Sequence, residues 1–168
     1  LERLNAWGGQ PLPLNASAWV EDAGVSTLYL RLRGAVAAVE AACRSLGGER
    51  QPEAAGDWTR SRELRLPWFD ARGGRDLWRL SVPQTAPVLD LPDTPYVEWH
   101  GGQRWVRAEA AAAPALRAAA QAVGGSATRF IVGTDASYEG VLGRFDPLPA
   151  PLDRIHRELK REFDAAGV

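Results

Sequence analysis

The 168-residue sequence has no methionine, one cysteine, two histidines and, among 20 basic residues, a single lysine, Lys160. A lone cysteine, Cys43, excludes an internal disulfide. Its position in a helical pattern reads as a small apolar residue on the buried face. His100 and His156 lie far apart in the sequence, and they supply no metal-ligand spacing and no His-centred catalytic constellation. No apolar run approaches the roughly 20 residues of a membrane span, and no secretory signal is expected from this stretch. A charge excess is also missing, with 20 basic residues against 21 acidic ones. The net charge is −1 with a pI near 6.2, so there is no electrostatic footprint for nucleic acid or an anionic membrane. The glycine doublets at 8–9, 47–48, 73–74, 101–102 and 124–125 read as turns and caps, because none forms GxGxxG after a strand. The missing methionine, with a first residue that lies inside running sequence, gives the expectation of a piece of a longer polypeptide.

What is present suits one globular domain: 45% hydrophobic and 24% charged residues. Residues 1–19 predict a helical turn followed by an extended segment fixed by Pro11 and Pro13. VSTLYLRLR (25–33) alternates as a strand, with Leu28, Leu30 and Leu32 on one side and Tyr29 and Arg31 on the other. Val36, Val39, Ala42, Cys43 and Leu46 repeat at helical spacing and stop at Gly47-Gly48. A short helix is predicted over Trp58–Leu64, broken at Pro67. LWRLSV (77–82) is a strand. YVEWHGGQRWVR is a hairpin about Gly101-Gly102. A helix interrupted or begun by Pro114, a strand in SATRFIVG and a last helix over about 152–166 complete the chain. Arg157, Lys160 and Arg161 sit where a helix C-terminus favours cations, and Gly167 suits its cap.

The order β-α-β-β-α-β is that of the ferredoxin-like split βαβ. The fold class is therefore α+β: an antiparallel sheet with helices packed on one face, plus a C-terminal helix. Trp78, Leu80 and Val82 belong under the helices, and Leu77, Arg79 and Ser81 face away. A two-residue hairpin turn pairs His100 with Gln103 and Glu98 with Trp105, so Glu98, His100, Gln103 and Trp105 share a face. Read from alternation alone, this face is either a solvated surface whose long side chains cover apolar area or a site. In a site, an arginine fork would read a carboxylate and tryptophan would form an apolar wall. Arg79, on a central strand between tryptophan-rich segments, is the residue to single out. The seven tryptophans are either core and hairpin packing or an interface or cofactor wall.

ERLNAWGGQPLPLNASAW, LWRLSVP, WHGGQRW and HRELKREFDAAGV together resemble the C-terminal, FAD-linked oxidase "cap" part of the FAD-binding subunit family of bacterial glycolate oxidases. The resemblance is spread over nearly the whole chain, more vaguely at 49–76 and 134–146. It implies a division into a lead-in segment from an FAD domain (1–24), a ferredoxin-like cap domain (25–150) and a C-terminal helix leading back to the FAD domain (151–168). It also implies FAD in the longer protein, a 2-hydroxy-acid substrate such as glycolate, and a related flavoprotein subunit and an iron–sulfur subunit as partners. It implies a cytoplasmic location, with membrane association through the complex. Joined to the alternation, it makes Arg79 the carboxylate-orienting residue and places Ser81, Glu98, Gln103 and Trp105 in a flavin-facing pocket. No catalytic base, FAD-binding residue or metal ligand is assigned, and the piece alone is expected to be inactive. A competing reading is a structural or electron-relay domain whose free sheet face makes subunit contacts. A stand-alone ligand-binding module is the third. RNA binding by the sheet is disfavoured by the absence of positive charge and of a clear aromatic pair.

Overall fold

The structure, a computed structural model, describes residues 1–22, 24–135, 138 and 141–164. In chain order these form α1 (Glu2–Gly8), β1 (Leu14–Asp22), β2 (Val25–Leu32), α2 (Val36–Leu46), α3 (Ala55–Arg62), α4 (Pro67–Asp70), β3 (Asp76–Ser81), β4 (Tyr96–Glu98), β5 (Gln103–Ala108), α5 (Ala113–Gln121), β6 (Ser126–Ile131) and α6 (Ala150–Phe163). The strands make one sheet in the order β2-β1-β4-β5-β3-β6, antiparallel at every pairing. The α+β class, the antiparallel sheet and the C-terminal helix are those the pattern predicts. The cap read at Gly167 lies outside the described residues.

The strand order differs from the simplest reading of the pattern. Residues 14–22, read within the lead-in segment, form β1, which is hydrogen-bonded on both sides, and residues 25–32 are an edge strand paired with it. Pro11 and Pro13 precede the strand, so their missing N–H groups interrupt no ladder. Further in, β5 and β6 flank β3 and are joined across α5, the split βαβ arrangement. The crossing from β3 to β4 carries no helix. It is held by Arg104, 2% exposed, which donates to the carbonyls of Pro87 (2.7 Å), Ala86 (2.9 Å) and Gly101 (3.2 Å). Burial pushes the Arg104 pKa down from its ordinary value. Three carbonyl dipoles stand in for the carboxylate that usually accompanies a buried arginine.

Both faces of the sheet are covered, where the alternation predicted one to be free. On the first, Trp78, Leu80, Val82 and Val106 pack with Ala113, Leu116 and Ala120 of α5, as expected. On the second, Leu77, Tyr96, Trp105, Ala18 and Val20 pack with Phe69, Trp58, Leu64, Leu66 and Trp68 from α3, α4 and their connection. This segment is too short and too interrupted by Pro67 to show a helical period. Aromatic rings do its packing instead: Phe69 lies 5.2 Å from Tyr96 and 5.8 Å from Trp105 between centroids.

The edge of β3 carries a buried ion pair. Asp76 accepts two bonds from Arg129, Nε to Oδ2 at 2.6 Å and Nη2 to Oδ1 at 2.9 Å, and a third from the Gly133 N–H at 2.6 Å. Gly133 must come this close. A Cβ there would stand 2.1 Å from the Gly74 carbonyl oxygen and under 3 Å from backbone atoms of Arg75 and Asp76. This run of backbone cannot give way as a side chain would. Gly133→Ala is expected to destabilise by about 1–3 kcal/mol, read as a lower urea midpoint at unchanged m-value.

Candidate functional site

The hairpin turn decides how the candidate residues meet. A two-residue turn would pair Glu98 with Trp105, but the observed register pairs Glu98 with Gln103, Val97 with Arg104 and Tyr96 with Trp105. The slip is two residues, and because side chains alternate with period two, every face assignment in the strands survives it. The turn then spans Trp99–Gly102, with Trp99, His100 and Gly101 at φ 52°, 56° and 101°. His100 therefore leaves the strand face, and its backbone N–H bonds Ser17 Oγ at 2.9 Å.

Side-chain chemistry explains the register. The Glu98 carboxylate accepts from Ser61 Oγ (2.8 Å), Gln103 Nε2 (3.0 Å) and Trp105 Nε1 (2.8 Å). With Glu98 opposite Gln103, all three donors reach one carboxylate. Ser61 has one hydroxyl proton and gives it to Glu98, so the Tyr96 phenol, 3.0 Å away, is the donor in the Ser61–Tyr96 bond. Burial, aided by the nearby Glu98 charge, pushes the Tyr96 pKa up to about 12. A phenol that titrates higher folded than unfolded contributes stability that is complete below its unfolded pKa of about 10 and is lost as pH rises through about 12. Tyr96→Phe is therefore expected to flatten the loss of stability over that alkaline window, as measured by urea unfolding at stepped pH. An unchanged slope would place the titration elsewhere.

All five sequence-predicted residues lie together. Arg79 is directly opposite Trp105, Ser81 opposite Gln103, and Gln103 opposite Glu98. They divide into two kinds. Glu98, Gln103 and Trp105 satisfy one another, and Gln103 and Trp105 are 7% and 4% exposed. Arg79 and Ser81 are left over. Arg79 is half-buried, its guanidinium is 5.4 Å from the centre of the Phe130 ring, and it has no hydrogen bond or ion pair among the described residues. Ser81 is exposed at the strand end. Phe130 also stands edge-on to Trp105 at 5.1 Å. The result is an uncompensated cation on an aromatic bed with a hydroxyl beside it, suited to a small carboxylate.

A cavity of about 670 Å³ opens on the same sheet face, between the strands and α3–α4, and none of the five residues lines it. Among the described residues, no group of three or more His, Cys, Asp and Glu side chains could hold a metal ion. No described helix is long and apolar enough to cross a membrane.

Over 169 aligned positions the chain is 39% identical to glycolate oxidase subunit GlcE of Escherichia coli (strain K12). The alignment takes in the whole chain and 43% of GlcE, so the chain spans less than half the length of this relative. No family model and no solved structure matches it.

The site also involves residues that the sequence pattern did not single out. Tyr96 is two positions before Glu98, so alternation places it on the same face and could have found it. Ser61 reaches Glu98 from a helix 37 positions away, and nothing local signals that contact. Trp58, Trp68 and Arg107 line the cavity, and only the tryptophan count hinted at them.

Proposed function

We propose that the chain is the part of an FAD-dependent glycolate oxidase subunit that covers the flavin and orients a small 2-hydroxy acid, with Arg79 as the carboxylate anchor. The observation that carries the reading is the Arg79 guanidinium, unpaired among the described residues, on the same face as exposed Ser81 and next to the mutually bonded Glu98, Gln103 and Trp105. Similarity of the whole chain to 43% of GlcE supports the class of subunit.

The chain's residues fit a covering role better than a holding one. Phe130 and Arg79, backed by the buried Trp105 ring, offer an aromatic and cationic surface that suits a flat ring system and excludes water. No glycine doublet forms a phosphate cradle after a strand, so the dinucleotide's phosphates would be held by the rest of the longer polypeptide. A bound flavin supplies the redox chemistry. Arg79 binds and orients the substrate carboxylate, Ser81 donates a hydrogen bond to it, and Glu98 and Gln103 act as positioning residues by fixing the Trp105 ring. The full subunit would work beside a related flavoprotein subunit and an iron–sulfur subunit, in the cytoplasm and in contact with a membrane through that complex.

A contact role is the second reading, and α6 favours it. Leu152, Ile155, Leu159 and Phe163 form an apolar stripe on a helix with no buried residue, 44–86% exposed. Its opposite face is stitched by Arg157–Asp153, Arg154–Glu158 and Lys160–Asp164 pairs. The two readings part in one experiment. Arg79→Ala with Ser81→Ala is introduced into the full-length subunit, and complex assembly and glycolate turnover are both measured. Normal assembly with depressed turnover supports the anchor. Loss of assembly, or full turnover, removes Arg79 from the substrate site.

A further inference from the structure

The cavity beneath α3 and α4 has a chemistry opposite to that of the Arg79 group. Its floor is small and buried, formed by Ala18 and Val20 of β1. Its walls are aromatic: Tyr29, Trp58, Trp68 and Tyr96. Its mouth is acidic, with Glu21, Glu53 and Asp57 all exposed. Asp57 pairs with Arg60, whereas Glu21 and Glu53 have no ion pair among the described residues. The cation in the wall, Arg107, is already committed to Asp93 at 3.0 Å.

We propose that this cavity binds a small organic cation with an apolar body, the body lying against Trp58, Trp68 and Tyr96 and the positive end facing the Glu21–Glu53–Asp57 mouth. The volume of about 670 Å³ is within the range of small-molecule sites. The aromatic walls already hold cations: Arg107 lies 4.5 Å from the centre of the Trp68 ring and Arg31 5.2 Å from that of Trp58. A ligand ammonium is attracted by the carboxylates at the mouth and by the ring faces. A ligand carboxylate meets like charge at the mouth, and the one cation among the lining residues, Arg107, already has its partner; Arg31 lies over the Trp58 ring but does not line the cavity. The cavity is therefore not a second seat for a hydroxy acid, and its ligand does not depend on the role given to Arg79.

The test is a titration of the chain with benzyltrimethylammonium, followed by tryptophan fluorescence, with phenylacetate as the anionic probe of similar size. Saturable quenching by the ammonium is expected, with phenylacetate weaker by about tenfold or more. Glu21→Gln with Glu53→Gln alters only exposed positions and should weaken ammonium binding by about tenfold. Ala18→Phe fills the floor and should abolish binding; if that variant does not fold, as judged by circular dichroism, the paired glutamine substitutions decide. No saturable response to the ammonium, equal affinity for phenylacetate, or unchanged affinity in the paired glutamine variant would each overturn the proposal.

Discussion

Replacing Asp76 with alanine is expected to remove about 3–5 kcal/mol of stability, the largest effect of any single side-chain truncation considered for this chain. The reason is what the change leaves behind. Arg129 is 2% exposed, and both of its described side-chain hydrogen bonds go to Asp76. Without Asp76 the guanidinium stays charged in an apolar setting, and the Gly133 N–H loses its acceptor as well. Against the 5–15 kcal/mol of a typical domain, the variant should sit near the folding threshold, with a urea midpoint shifted far below that of the parent. The same reasoning sets a control. Asp76→Leu combined with Arg129→Met removes both charges together, so it should recover much of what the single change loses. If the double variant is as unstable as Asp76→Ala, the loss comes from packing or from the Gly133 bond rather than from an uncompensated charge.

Arg79→Ala is expected to act in the opposite way, with little effect on stability and a large effect on turnover. Its one described contact of note is with the Phe130 ring at 5.4 Å, worth about 0.5–1 kcal/mol at a partly exposed site. Folding should therefore be nearly intact. A charge-assisted hydrogen bond to substrate contributes about 1.5–3 kcal/mol, so kcat/KM for glycolate in the assembled complex should fall by about 10–100-fold. Arg79→Lys keeps the charge but loses the planar fork, so it should fall between parent and alanine variant. A lysine variant as poor as alanine would mean that two-point geometry matters more than charge.

The sheet was largely legible because alternation is a local signal. Alternation turns Arg79 and Ser81 away from the helices and puts Glu98, His100, Gln103 and Trp105 on a shared face; the registers bring all but His100 together on one face. Even the misplaced hairpin turn left the strand faces intact, since the slip was even. Three features were not legible. The strand at 14–22 follows two prolines that made it read as an extended lead. The cover supplied by α3 and α4 depends on Trp58, Trp68 and Phe69 meeting the sheet across long sequence separations, with no period to announce it. The pairing of Asp76 with Arg129 spans 53 positions and joins residues that alternation treats only as one charged side chain on each of two strands. The candidate site was legible as a set of neighbours. Its internal division, with Glu98, Gln103 and Trp105 engaged and Arg79 and Ser81 unengaged, depends on the hydrogen-bond partners, Ser61 above all.

The carboxylate anchor is tested most directly by a substrate ratio. Glycolamide has the hydroxyl of glycolate and nearly its shape, but no charge. With the full-length subunit in its assembled complex, kcat/KM is measured for glycolate and for glycolamide, in the parent and in Arg79→Ala. If Arg79 holds the carboxylate, the parent strongly prefers glycolate, and the substitution lowers that preference by about 10–100-fold while glycolamide turnover hardly moves. A preference that stays the same in both proteins would show that Arg79 does not read the substrate's charge.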